Sequence, residues 1–238
     1  MTAAAARADL RRHGPAGVLR PGIRTYKPRR TRMTGRQAAA LAENADLILQ
    51  VSSDPVDADD IWGAGVPVVL EIGFGDGAAT AAMAAADPGT GVLAIDVHTP
   101  GVGELLARVA EARLTNVRVM EADALGVLSR SIRPASLQAV RSFFPDPWPK
   151  ARHHKRRLVQ PEVLDLVRTR LRPGGCWHLA TDWDEYADWM RARFDADPLW
   201  SGGPIPSPAW RPQTRYERRA RRDGRTITDL VFHTLPSG

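Results

Sequence analysis

The chain has 238 residues, 43% of them hydrophobic, enough for one sizeable core with an appendage and not the profile of a disordered chain. Lysine and arginine outnumber aspartate and glutamate by 33 to 27, giving a net charge of +6 and an isoelectric point near 10.2, a balance that favours an anionic partner such as nucleic acid. Cys176 is the single cysteine, which excludes an internal disulfide framework and a paired-cysteine metal site, and no stretch approaches the roughly 20 apolar residues of a membrane span. A cytoplasmic protein without metal is expected.

Charge is unevenly placed along the chain. Residues 1–36 hold ten Arg or Lys against one acid, Asp9, with Gly and Pro interspersed and no apolar period. This predicts a mobile basic arm over 1–35, ahead of a folded domain over 36–238. "RQAAALAENADLIL" (36–49) has helical composition, and a polar connector runs to Val66. From Pro67 short β-branched runs alternate with helical stretches: "VVLEI" and an Ala-rich helix, "VLAID" and a helix over 100–114, "NVRVM" and "ALGVLSRSI". "LQAVRSFF" follows with a stiff loop and a helix over 161–171, then "CWHLAT" with a helix over 184–194. A Pro/Gly-rich connection over 199–212 leads to the last strand, "TITDLVFH". Strand and helix in strict turn predict an α/β fold of right-handed βαβ units, with a parallel sheet covered on both faces and ligands at the carboxyl ends of its strands.

Four of those ends carry chemistry. "LEIGFGDG" (70–77) places Gly73, Gly75 and Gly77 where backbone can approach a ligand closely, with Glu71 just before them and Asp76 among them. Those acids repel the diphosphate of a dinucleotide and suit S-adenosyl-L-methionine, a phosphate-free cation. Asp96 ends the second strand, where an acid takes hydrogen bonds from both ribose hydroxyls, and Thr99 with Pro100 after it is the better expected helix cap. Asp123, after the third strand, suits an adenine amino group or an ordinary helix cap equally. The loop "FFPDPWPKARHHKRR" (143–157) holds Asp146 between two prolines, stiffly placed to accept the adjacent N–H donors of a guanine Watson–Crick edge. Phe143 and Phe144 are expected in the core. Trp148 is expected part-exposed, and Lys150, Arg152, Lys155, Arg156 and Arg157 are expected on phosphates.

"LEIGFGDG", "DVHTPGVG", "FFPDPWPKARHHKRR", "ATDW" and "TRYE" stand in the order and spacing of the bacterial tRNA (guanine-N7-)-methyltransferase family, which the chain resembles from Ile23 to Phe232. The resemblance implies a class I methyltransferase with a Rossmann-like, mostly parallel seven-stranded sheet and helices on both faces. It also implies transfer of a methyl group from S-adenosyl-L-methionine to N7 of guanine 46 in the tRNA variable loop. On this resemblance Glu71, Asp96, Asp123 and Asp146 contact the donor, and Asp146 is also catalytic. Lys150, Asp182, Thr214, Arg215, Tyr216 and Glu217 contact the tRNA. Asp96 stands where Glu is also common in the family, and Pro149 where His often stands. A class I methyltransferase with another substrate, or an RNA-binding protein that kept the fold, are the competing readings; monomer and homodimer are both open.

Overall fold

The computed structural model describes residues 24–27, 32–52 and 54–236. The readings made for 1–23 and 28–31 of the basic arm lie outside the described residues. Helix α1 (Gly35–Glu43) opens on a reciprocal cap in which Thr34 Oγ1 accepts from Gln37 N–H and Gln37 Oε1 accepts from Thr34 N–H. The helix expected over 36–49 is shorter than that. It stops at Asn44, a 3₁₀ turn (Ala45–Leu47) follows, and Leu49 N–H reaches Val119 O at 2.8 Å. A short α2 (Ala58–Trp62) precedes the sheet.

From there strands and helices alternate as β1 (Val68–Ile72), α3 (Ala78–Ala86), β2 (Gly91–Asp96), α4 (Thr99–Glu111), β3 (Val117–Glu121), α5 (Ala124–Arg130) and β4 (Leu137–Phe143). After a basic 3₁₀ segment (Ala151–Arg156) come α6 (Pro161–Arg170), β5 (Leu171–Thr181), α7 (Asp184–Asp195), β6 (Trp200–Ile205), α8 (Arg215–Arg222) and β7 (Thr228–Thr234). The seven strands lie in the order β3-β2-β1-β4-β5-β7-β6. The first five are parallel, and β7 runs antiparallel to both its neighbours. The order reverses between β1 and β4, so a crevice opens there at the carboxyl ends of the strands.

Two local expectations are corrected. The seventh strand, β6, falls within the stretch 199–212 that composition assigned to a connection. It tolerates Pro204 because it is the outer strand, and it needs Gly202 because a Cβ there would lie 2.1 Å from Val231 O of β7. Thr99 does not cap α4. His98 holds the capping position, and the Thr99 hydroxyl instead donates to Glu121 on β3.

Both faces of the sheet are covered. On one, Val127, Val163, Val167 and Met190 from α5, α6 and α7 bury Leu70, Leu93, Val140 and Leu179. On the other, Ala40, Ala84, Val102 and Leu105 from α1, α3 and α4 bury Val92, Ala94 and Val119. Full burial of each such Val or Leu contributes about 2 kcal/mol. The antiparallel end is pinned by aromatic contacts: Phe194 of α7 stacks on Phe232 of β7 at 3.8 Å, with Trp200 edge-on to Phe194 at 5.1 Å. Among the described residues no helix is long and apolar enough to cross a membrane.

Candidate active site

A cavity of about 140 Å³ lies at the reversal of strand order, lined by the ends of β1, β2 and β4. Its floor is the loop after β1, where Gly73, Gly75 and Gly77 hold φ of 77°, 67° and 67°. A Cβ built on Gly73 meets nothing within 4 Å, so the backbone there leaves room for a ligand. Asp96 Oδ2 accepts from Gly75 N–H and its Oδ1 from His98 N–H, both at 3.0 Å. Each oxygen keeps a lone pair, so the carboxylate can take two further hydroxyl donors. Burial pushes the Asp96 carboxyl above its ordinary value, opposed by those backbone N–H groups. A phosphate-free nucleoside bearing positive charge fits this Asp-lined, Gly-floored space.

Two of the residues expected to contact the donor do not line the cavity. Glu71 does not line the cavity; strand alternation gives Ile72 that place, and Glu71 is 3% exposed. Burial pushes its carboxyl up to about 7, Arg141 opposes the shift, and Oε2 has no hydrogen-bond partner. It lies buried behind the glycine floor. Asp123 also lies outside the lining, although Ala122 and Ala124 on either side of it belong to the wall. Its Oδ1 accepts from Leu125 N–H at 2.9 Å and Gly126 N–H at 3.4 Å, so the helix-cap reading is the one the geometry contains.

Asp146 stands at the cavity wall on a strained loop. Phe144 and Trp148 hold φ of 56° and 45°, left-handed values that cost a bulky side chain roughly 1–3 kcal/mol each. Three anchors over-determine the loop. Phe144 N–H extends the β4–β5 pairing to Ala180 O at 2.7 Å. Trp148, expected part-exposed, is 4% exposed and donates from Nε1 to Thr25 O at 3.1 Å. Arg157, expected on phosphate, is fully buried: Nε donates to Pro147 O at 2.9 Å, its fork grips Glu185, and its guanidinium lies over the rings of Tyr186 and Trp189. Charge counting could not separate Arg157 from its exposed neighbours Lys150, Arg152 and Lys155. Phe143 is buried as expected, and Phe144 is half-buried on the cavity wall.

Arg24–Lys27, part of the arm read as mobile, pack against this loop. Lys27 N–H donates to Asp146 Oδ2 at 2.9 Å, and Arg156 Nε donates to Arg24 O at 3.2 Å. The Lys27 ammonium and the Arg156 guanidinium lie 5.1 and 4.2 Å from the centre of the Trp148 ring. Thr25, Tyr26 and Lys27 thereby wall the cavity, and no feature of the arm's composition announced it.

The opposite rim is α8. Tyr216 lines both the cavity and an open cleft beside it that is also lined by Arg215, Arg219 and Arg222. Thr214 caps the helix by accepting from Glu217 N–H at 3.1 Å. Glu217, expected to contact substrate, is 1% exposed, and both of its oxygens are held by arginines, Arg211 and Arg221. It supports the rim from behind. Asp182, at the end of β5, is half-buried and paired with Arg225. Lys150 is exposed at the start of the basic 3₁₀ segment.

Residues 66–230 match the family model described as "Putative methyltransferase". The tRNA (guanine-N(7)-)-methyltransferase of Streptomyces avermitilis is 49% identical over 90% of this chain and 76% of its own length. That of Halorhodospira halophila is 45% identical over 90% of this chain and 95% of its own. The chain belongs to the tRNA (guanine-N(7)-)-methyltransferase family. Among solved structures, the 16S rRNA methyltransferase KamB superposes with a TM-score of 0.51 at 18% identity, covering 90% of this chain and all of that one. An antibiotic-related methyltransferase gives 0.51 at 15% identity over 78% of this chain and 98% of that one. At such identities the likeness speaks for the class I methyltransferase fold alone. Within the tRNA (guanine-N(7)-)-methyltransferase family, then, the residues to be explained are the cavity, the Asp146 loop and the two segments that flank it.

Proposed function

We propose that the protein is a tRNA (guanine(46)-N7)-methyltransferase, which transfers the methyl group of S-adenosyl-L-methionine to N7 of the variable-loop guanine. The observation that carries this reading is Asp146, fixed on a strained, three-way anchored loop at the wall of a Gly-floored cavity that Asp96 also lines, with a basic cleft beside it. When bound, the donor supplies an electrophilic methyl group on a sulfonium. Guanine N7 offers an in-plane lone pair and carries no proton at neutral pH, so no side chain has to remove one before the bond forms.

The chain's own contribution is placement and charge. Asp96 and the glycine floor hold the nucleoside half of the donor, and the apolar walls at Ile95, Ala122, Ala124 and Leu158 exclude water from it. Asp146 accepts N–H groups of the guanine edge and stabilises the positive charge that develops on the purine. Exposed Lys150, Arg152 and Lys155 on one side, and Arg215, Arg219 and Arg222 on the other, neutralise tRNA phosphates around the target nucleotide. Glu71, raised toward neutrality by burial, is the acid that a cationic donor returns to its charged form.

Nucleoside mass analysis of tRNA, after incubation with the protein and labelled donor, tests the reading. We expect 7-methylguanosine, mapped by strand scission to the variable loop. Label on an exocyclic amine, or none on tRNA, would overturn it.

A further inference from the structure

We propose that Arg211 is the positioning residue of the tRNA-facing rim: through Glu217 it fixes the first turn of α8, and with it Tyr216, over the mouth of the cavity. The inference rests on the function proposed above and gives a role to a buried ionic cluster which that function does not use.

Helix α8 is poorly equipped to hold itself in place. It has eight residues, RYERRARR, of which only Glu217 and Ala220 are buried, too short and too polar to be secured by its own hydrogen bonds or by apolar packing. What ties its first turn to the sheet is a carboxylate. Glu217 Oε2 accepts from Arg211 Nη1 at 2.6 Å, while Arg221 holds the other oxygen.

Arg211 is itself locked. It is 5% exposed, and it donates from Nε and Nη2 to the two oxygens of Asp229 on β7, each at 2.8 Å. Asp229 also takes His178 Nε2 of β5 at 2.7 Å and the Ser207 hydroxyl, and the guanidinium lies 5.4 Å from the centre of the Phe143 ring at the end of β4. One planar fork thus relates the ends of β4, β5 and β7 to the start of α8. A buried ion cluster contributes little net stability compared with well-packed apolar residues, but a guanidinium with two fixed acids admits few geometries. Its output is the position of Tyr216, the residue adjacent to Glu217. The Tyr216 ring comes within 3.7 Å of where a Cβ on Gly75 would stand, so it reaches the cavity floor as well as the basic cleft.

A double-mutant cycle on the full chain tests this. Single-turnover methyl transfer to tRNA is measured at saturating enzyme and donor for wild type, Arg211→Lys, Tyr216→Ala and the pair. Lysine keeps the charge and loses the fork, so Arg211→Lys should slow transfer about tenfold or more, as should Tyr216→Ala. Because both act on one element, the pair should be no slower than the slower single variant. A merely structural loosening would multiply the two losses, and that result would overturn the proposal, as would an Arg211→Lys rate within about twofold of wild type. Should Arg211→Lys fail to give a cooperative melt, Glu217→Gln takes its place in the same cycle and is read by the same two outcomes. If wild type forms no 7-methylguanosine, the functional reading falls and the positioning role with it, an outcome distinct from an active wild type with a multiplicative cycle.

Discussion

Two walls of the cavity are held by opposite means. On the Asp146 side, Arg24–Lys27 are seated by backbone hydrogen bonds and by cations over the Trp148 ring, among groups that keep contact with water. On the α8 side, Glu217 is held by a dry lattice of full charges in which Arg211 and Asp229 are both 5% exposed or less. The bonds on the first side, one neutral and two with a charged partner, contribute about 1–3 kcal/mol each, whereas breaking one partner out of a buried ionic cluster costs about 3–5 kcal/mol. The α8 wall is therefore the more costly of the two to disrupt.

The largest effect expected from disturbing this arrangement is at Asp146, in the first wall. Asp146→Ala should slow methyl transfer by roughly 10² or more while leaving most tRNA affinity, which is spread over many phosphates. Asp146→Asn separates two contributions, because it keeps an acceptor for Lys27 N–H and loses the charge. A rate for Asn near that of Ala assigns the effect to charge beside the purine, and a rate near wild type assigns it to seating the N-terminal segment. A smaller effect is expected from shortening the chain. Removing residues 1–23 should leave donor affinity unchanged by calorimetry, whereas removing 1–27 strips one wall from the cavity and should weaken it about tenfold, or ~1.4 kcal/mol.

The smallest effect is expected from acid, and it should fall on the second wall. Burial works against the charged form of Asp229, but hydrogen bonds from His178, Arg211 and Ser207 outweigh it and hold the carboxyl below its ordinary 3.8. An acid with a depressed folded pKa contributes stability that is present above the unfolded value and is lost as the pH falls through the folded one. Hydrogen exchange should therefore show α8 and the start of β7 losing protection below about pH 4. Protection in α8 that is unchanged there would show the rim to be held by something other than this cluster.

How much of this was legible in the sequence follows from the range over which each contact acts. The parallel half of the sheet declared itself because β-branched runs and helical stretches alternate locally, and the glycine floor and Asp96 are marked by spacing from strand ends. Neither wall is a local feature. Lys27 meets Asp146 across 119 residues and Arg24 meets Arg156 across 132, so composition alone read the segment as a mobile basic arm. Arg157 and Arg211 resemble any other arginine in a basic chain. Only the tertiary structure shows one beneath Pro147 and the other between two acids. Strand β6 escaped notice because glycine and proline usually mark a turn, whereas here they mark an outer strand pressed against its neighbour.

That outer strand also bears on self-association. Open sheet edges invite a second copy to add its own strand, and proline on an edge removes a donor that such pairing requires. Pro204 stands on β6 at one end of the sheet, and at the other Leu49 N–H already occupies Val119 O of β3. Joining two copies into one continuous sheet is disfavoured at both ends, so any dimer of this enzyme would form through its helices and loops, and aggregation by strand exchange would have little purchase on the native fold.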